Sequence, residues 1–292
     1  MDLRLLRYFV AVAEELNFGR AAARLHMTQP PLSRAVQQLE TDLGCALLHR
    51  SPAGVALTPA GATLYEEARA LLARAARVRT KVAAAAGTPA LTVGTLADSA
   101  EQVGAELAAA FRERHPHARI RIREADLSDP TAGLRSGLVD VALTRAPFDE
   151  TGLTVRVLRS DPIGAVLRAD DPLAGRAGLR LAELADRRWF RLPEDTDPAW
   201  RAYWSGPPAT AGRCDGPVVR TVHECMQSAL WDGTVGLTAL NHPLPPGLTT
   251  VPLLDKPPSD LVLAWRPNAT TPLVRSFTGL AADLYRQSRA AG

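Results

Sequence analysis

The chain has 292 residues, 46% of them hydrophobic and 22% charged, with a formal net charge of +3, which describes a soluble globular protein of two or three domains. No apolar run reaches bilayer-spanning length, and the charged start Met1-Asp2-Leu3-Arg4 carries no signal-peptide core, so cytoplasmic residence without a membrane partner is expected. Residues 1–87 hold eleven basic and seven acidic side chains, against 23 basic and 24 acidic in the remainder, so the positive excess lies in the first third, where a polyanion would bind.

Leu3, Leu6, Val10 and Ala13 recur at helical spacing, which predicts a first amphipathic helix over Asp2 to Glu15. A second runs from Phe18 to Leu25, with Ala21, Ala22 and Leu25 small or apolar enough for close packing, and His26-Met27 makes a turn. A third helix follows: Thr28 is its N-cap, Pro30 and Pro31 fit only a first turn, and Leu32, Val36 and Leu39 form its buried stripe. Gly44 supplies a left-handed C-cap after Leu43.

The outer face of this third helix carries Gln29, Ser33, Arg34 and Gln37. Arginine can bridge guanine O6 and N7, and glutamine can pair with adenine N6 and N7 in the major groove. Free backbone N–H groups at the helix start are expected to meet a phosphate. The plain alternative is a helical hairpin with a polar face.

Leu47 to Arg50 and Val55 to Leu57 flank Ser51-Pro52-Ala53-Gly54, a hairpin with turn chemistry that reads as a wing. Thr58-Pro59 then opens a long helix, whose stripe of Leu64, Ala68, Leu71, Leu72, Ala75 and Val78 continues to Ala86. A stripe that leaves a small domain must be covered. A second copy of itself would cover it, giving a two-fold dimer that reads paired half-sites.

The stretch RYFVAVAEELNFGRAAARLHMTQPPLSRAVQQLETDLG closely resembles the winged helix-turn-helix signature of LysR-type transcriptional regulators, and LTPAGATLYEEA resembles that family's linker-helix entry. The resemblance is strong over residues 3–72 and stays in register beyond. It implies a multidomain chain with no cofactor: an N-terminal all-α winged helix-turn-helix plus long linker helix, then a C-terminal two-lobed α/β domain like periplasmic binding proteins. The expected boundaries are 1–58 for DNA binding, 59–88 for the dimerisation helix and 89–292 for the effector domain. Lobe I is placed at about 89–161 and 266–292, lobe II at about 162–265. Carried across, Gln29, Pro30, Ser33, Arg34 and Gln37 fall at recognition-helix positions and Arg50 opens the wing. Arg20 and Thr28 join them as DNA-contact candidates. Ala53 and Ala56 depart from the family, which often has basic residues there, so fewer phosphate contacts and a shallower salt dependence are expected. The implied partners are double-stranded promoter DNA, a small effector such as a carboxylate metabolite, further copies of the chain as a homodimer or homotetramer, and RNA polymerase.

Gly87-Thr88-Pro89 breaks the linker helix. Beyond it, strands are predicted at Ala90 to Thr95, Arg119 to Glu124 and Val139 to Thr144, with a helix over Ser99 to His115 and a short one over Pro130 to Ser136. That alternation predicts a parallel sheet with helices on both faces. A second block has strands at Ile163 to Arg168 and Val235 to Leu240 and helices at Leu181 to Ala185 and Val222 to Asp232. Asp260 to Trp265 is a strand, and a helix over Pro272 to Gln287 returns to the first block.

Ligands in such folds sit at the carboxyl ends of strands. That rule selects Thr95, Ser99, Ser128, Thr144, Arg145, His223 and Glu224 as effector contacts, with Trp200, Tyr203 and Trp204 as walls. The resemblance favours Ser99 and Ser128, which fall where the family commonly contacts effector. Arg145 could clamp an anion bidentately. For each of these polar residues a cap or surface hydrogen bond competes with the ligand role, and Asp98 near the mouth opposes an anion.

An enzyme is not expected: Gly-x-Ser-x-Gly, a phosphate loop, His-Glu-x-x-His and a CxxC pair are all missing, so no catalytic residue is named. His115-x-His117 looks more like a solvated loop than a metal site. Cys45, Cys214 and Cys225 are odd in number and far apart, against a disulfide framework or zinc site. A redox switch using Cys214 and Cys225 is an alternative, with Cys225 equally explained as a small buried hydrophobe. A solute-binding protein with an accessory DNA-binding module is a remoter one.

Overall fold

The computed structural model describes residues 2–25, 27–51, 54–85, 89–96, 99–206 and 216–290. The chain divides into two compact units, one ending inside a long helix at Val82 and the other starting at Ala83.

In the first unit, α1 (Leu3–Glu15), α2 (Phe18–Arg24) and α3 (Gln29–Leu43) pack around Leu6, Phe9, Val12, Ala21, Leu32, Val36 and Leu39, all sealed from solvent. Short polar side chains set where α1 and α2 start. Asp2 caps α1 by accepting from Arg4 N at 2.7 Å, and Asn17 caps α2 by accepting from Arg20 N at 3.0 Å. Gly44 ends α3 at φ 68°, the left-handed cap that its sequence position predicts.

The wing pairs β1 (Leu48–Ser51) with β2 (Gly54–Leu57) in antiparallel register, from Leu48 opposite Leu57 to Ser51 opposite Gly54. Its turn residues Pro52 and Ala53 lie outside the described residues, as does His26. Glu40 of α3 binds the wing's root, its Oε1 accepting from Leu47 N at 2.9 Å and Leu48 N at 3.2 Å. Thr58 joins the wing to α4 (Pro59–Ala85): its hydroxyl donates to Ala46 O at 2.8 Å and accepts from Gly61 N at 2.9 Å. On α4, Ala68 is buried and Leu64, Tyr65 and Leu72 pack on the core, whereas Leu71, Val78 and Val82 are exposed.

The second unit holds two sheets. The larger has the order β4-β3-β5-β10-β6, from β3 (Ala90–Thr95), β4 (Arg119–Glu124), β5 (Val141–Arg145), β6 (Thr154–Asp161) and β10 (Ser259–Trp265). The smaller is antiparallel, β8-β7-β9, from β7 (Ile163–Arg168), β8 (Gly236–Ala239) and β9 (Leu248–Pro252). α5 (Ser99–Arg114) and α8 (Pro272–Ala290) pack together beside the larger sheet, with Phe111 edge-on to Phe277 at 5.5 Å. α6 (Pro198–Trp204) and α7 (Val222–Asp232) belong with the smaller.

Three expectations are corrected. β3 runs parallel to β4 and β5, but β10 is antiparallel to both β5 and β6, so the sheet is mixed. β10 arrives from the second lobe and is hydrogen-bonded into the first sheet, which moves the end of lobe II from 265 to before Ser259. Residues 130–136 form successive turns rather than a helix. There the Asp129 carboxylate accepts from Thr131 N and Gly133 N, and Ala132 and Gly133 take φ 50° and 86°, which draws the backbone out of the helical region.

Gly61 lies against the wing, and a Cβ built on it falls 2.0 Å from Leu47 O. Gly61→Ala is therefore expected to lower the stability of the first unit by about 1–3 kcal/mol. A lower urea midpoint with an unchanged slope checks this.

Candidate functional site

Two surfaces carry the candidate residues. On the first unit, Gln29, Pro30, Arg34 and Gln37 are exposed on one side of α3, and Ser33 is half-buried. Arg34 has no ion-pair partner among the described residues, so its guanidinium faces solvent unspent. Thr28 occupies the N-cap with extended backbone, yet its hydroxyl caps nothing. An N-cap side chain accepts from the second or third helical N–H, and here Pro30 and Pro31 have none. The same prolines correct the expectation of a row of free N–H groups at this helix start: two of those donors are missing.

Arg20 is exposed but engaged. Its Nε lies 3.4 Å from Glu15 Oε2, and its Nη2 donates to the Glu15 carbonyl. It ties α2 to the end of α1, which limits what it can offer DNA. Arg50 pairs with Val55 in the wing, and Ala56 is exposed on β2. The Arg50 side chain lies outside the described residues.

The second surface is a partly open cavity in the second unit, leaving about 70 Å³ for the centres of water-sized groups. One water needs roughly 10–15 Å³ by that measure, so the space suits a small organic molecule. Leu96, Leu127 and Arg145 face it from the first-lobe side, while Phe190, Trp200, Trp204, Cys225 and Thr238 are among the residues lining it from the second. Its wall is mostly apolar, with Arg145 the charged group among its described lining residues. Trp200 Nε1 and Trp204 Nε1 are buried and have no acceptor among the described residues. A buried donor left unpaired costs about 1–3 kcal/mol, so this wall gains from a molecule that brings acceptors.

Arg145 ends β5 with 2% of its surface exposed. Its Nη1 lies 3.0 Å from Asp161 Oδ2, at the end of β6 where the chain crosses between the sheets. Asp161 also sits 2.9 Å from Arg159 Nε and accepts from Asn241 Nδ2 at 3.3 Å. Neither Asp161 nor Asn241 stands out in the sequence, because the register that gathers them spans 80 residues.

The other expected effector contacts are placed elsewhere. Thr95 and Thr144 are buried and donate their hydroxyls to the Leu96 and Pro130 carbonyls, at 2.8 and 2.7 Å. Both hydroxyls are consumed by backbone. Glu224 is exposed and accepts from the N–H groups of Arg220 and Thr221 as half of a capping box. The Thr221-x-x-Glu224 spacing was the readable signal for that role. His223 is exposed and does not line the cavity. Ser128 is half-buried in an Asx turn, its N–H donating to Asp126 Oδ1 at 2.8 Å. Ser99 opens α5, but its side chain, with all of Asp98, lies outside the described residues. Trp200 and Trp204 wall the cavity as expected; Tyr203 turns away, its hydroxyl donating to the Pro257 carbonyl.

His115 Nε2 bonds Ser276 Oγ at 2.7 Å and packs on Phe111, a structural role, while His117 is exposed. No helix of the described residues is long and apolar enough to cross a membrane.

Comparison with known proteins matches both units. Residues 3–62 match the family described as bacterial regulatory helix-turn-helix protein, lysR family, and residues 84–286 match the LysR substrate binding domain. The chain belongs to the LysR family. It is a DNA-binding transcriptional regulator with an effector-binding domain. It is 36% identical over 203 residues to the HTH-type transcriptional regulator BudR of Raoultella terrigena, covering 68% of this chain and 70% of BudR. With AlsR of Bacillus subtilis it shares 34% over 200 residues, 68% of this chain and 66% of AlsR. These alignments span about two thirds of the relatives' length. In three dimensions this LysR-type chain resembles the LysR family regulator CbnR, with TM-score 0.57 and 22% identity over 97% of this chain and 99% of CbnR. An OxyR variant from Pseudomonas aeruginosa gives TM-score 0.51 and 26% identity over 98% and 100%. The relatives are regulators rather than catalysts by name.

For the redox alternative, Cys214 lies outside the described residues and Cys225 lines the cavity. Burial, reinforced by the Glu224 charge, pushes the Cys225 thiol up to about 12. Thiolate is the reactive form, so near neutral pH Cys225 stays almost wholly as the unreactive thiol and is alkylated slowly. Iodoacetamide is expected to alkylate exposed Cys45 in the native protein and Cys225 only after unfolding. Peptide mass spectrometry reads the result, and native labelling of Cys225 at the rate of Cys45 would contradict it.

Proposed function

We propose that this LysR-type chain reads an operator through α3 and answers to a small anionic effector held at Arg145. Gln29, Pro30, Ser33, Arg34 and Gln37 face the bases, with Thr28, Arg50 and, to a lesser degree, Arg20 toward the phosphates. Arg34 supports the base-reading role because it is exposed and unspent. The chain pairs as a dimer along α4, where exposed Leu71, Val78 and Val82 share one helical face beyond the region covered by its own core. Pairing of effector domains would extend that dimer to a tetramer. The domains run over about 1–58, 59–88 and 89–292, with lobe II ending before Ser259. The chain works in the cytoplasm, catalyses no reaction, and has RNA polymerase as its onward partner at the promoter.

The observation that carries the effector reading is a buried guanidinium in an otherwise apolar wall beside two indole N–H groups without acceptors. A carboxylate on a small apolar body answers each of these features. Ser128 and Ser99, which the family resemblance favours, are secondary to Arg145 in this reading.

Two experiments test the reading. Genome-wide mapping of bound sites supplies the operator, and Arg34→Ala is expected to weaken its binding by about 1–3 kcal/mol. Wild-type affinity in that variant would overturn the groove assignment. A thermal-shift screen of small carboxylates should find a stabilising ligand for the full chain, and Arg145→Met should abolish that shift. A shift that survives Arg145→Met would overturn the cavity assignment.

A further inference from the structure

Asp161 is 5% exposed and stands at the crossover between the two sheets, since β6 ends on it and β7 begins at Ile163. Its carboxylate is contacted from both lobes. Arg145 and Arg159 reach it from the first sheet, where both residues stand opposite Leu261 of β10, on either side. Asn241 reaches it from the turn after β8, in the second lobe. The adjoining backbone bond, Leu240 N donating to Pro162 O at 2.9 Å, runs across the same crossover.

Arg145 thus serves two sites at once. Arg145 lines the ligand cavity, and its Nη1 lies 3.0 Å from Asp161 Oδ2 with the two side chains only 3% and 8% exposed. At such burial, charges interact strongly because little water screens them. A ligand carboxylate and the Asp161 carboxylate are therefore rivals for one cation.

We propose that Asp161 is a positioning and specificity-determining residue of the effector site, an internal anion that holds Arg145 in the cavity wall and competes with the ligand for it. The inference rests on the reading of this cavity as the effector site. In the empty site Asp161 supplies the counter-charge and aims the guanidinium. When a ligand carboxylate takes part of Arg145, Asp161 gives up part of that contact and leans on Arg159 and Asn241. Since Asn241 belongs to the second lobe, occupancy of the cavity and the grip between the lobes become one equilibrium. Specificity follows: a neutral ligand cannot displace the Asp161 contact, and an anion must be placed well enough to do so.

The test uses the full chain, with benzoate as the probe, titrated by calorimetry and by tryptophan emission, after far-UV spectra confirm folding of each variant. Asp161→Asn keeps the shape and removes the rival charge, so benzoate should bind about tenfold more tightly than to wild type. A structural role alone would leave affinity unchanged or weaken it. Asp161→Glu restores the charge and should return binding to the wild-type range. Asn241→Ala removes an exposed donor without cost to the core. It leaves Asp161 more firmly on Arg145, so benzoate should bind several-fold more weakly, and this variant decides the matter if Asp161→Asn does not fold. Unchanged affinity in the folded Asp161→Asn or Asn241→Ala variant overturns the proposal, as does no binding in any variant. Binding that ignores Arg145→Met overturns the cavity reading itself, whereas binding that needs Arg145 but ignores Asp161 overturns this inference alone.

Discussion

A guanidinium sealed from water needs an anion beside it, because breaking a buried charge pair by removing one partner costs about 3–5 kcal/mol. In the second unit that requirement is met by Asp161 at the strand crossover, 3.0 Å from Arg145. Much of the local arrangement answers to it. β10 returns from the second lobe to lie between β5 and β6, which brings Arg145 and Arg159 to the same row of the sheet. The turn after β8 delivers Asn241 to Oδ1 of the same carboxylate, which Arg159 also contacts. The cavity is then lined by a buried cation that is already partly neutralised. Such a cation discriminates among ligands better than a free surface arginine, whose charge water would screen.

The first unit solves a different problem, the presentation of a polar helix face at a fixed angle. Its hydrophobic core fixes α1, α2 and α3 against one another, but two polar anchors fix what surrounds the exposed face of α3. Glu40 reaches from the inner side of α3 to the start of the wing, and Thr58 ties the wing's exit to the first turn of α4. Pro30 and Pro31 stiffen the entry to α3 and remove two backbone donors there. The Thr28 hydroxyl makes no cap hydrogen bond there, and Gln29, Arg34 and Gln37 stay exposed along the same helix.

Much of this architecture was legible because local rules dominate it. The stripe Leu32-Val36-Leu39 between Thr28 and Gly44 placed α3, alternation placed β4, and short apolar runs placed β3 and β7, each strand at the bounds observed. β6, β9 and α6 were not foreseen. α6 is only seven residues and opens on proline, and β9 follows a Pro-Pro-Gly turn whose signal hides a five-residue strand. The effector site was legible only in part. Strand ends pointed to Arg145, which lines the cavity, but whether a hydroxyl faces that space or a neighbouring carbonyl depends on contacts distant in sequence. Thr144 bonds Pro130 fourteen residues away, and Asp161 bonds Asn241 eighty residues away. Glu224 was the exception, since its capping box was written in four consecutive residues.

The central claim is that one chain links a carboxylate at Arg145 to the reading of DNA by α3. Linked binding is reciprocal: if ligand changes operator affinity by some factor, operator must change ligand affinity by the same factor. The direct measurement is operator affinity, by fluorescence anisotropy, with and without saturating ligand, together with ligand affinity on free and operator-bound protein. Equal, non-unit factors in the two titrations are predicted. Operator and ligand affinities each indifferent to the other partner, with the same operator footprint throughout, would contradict the account.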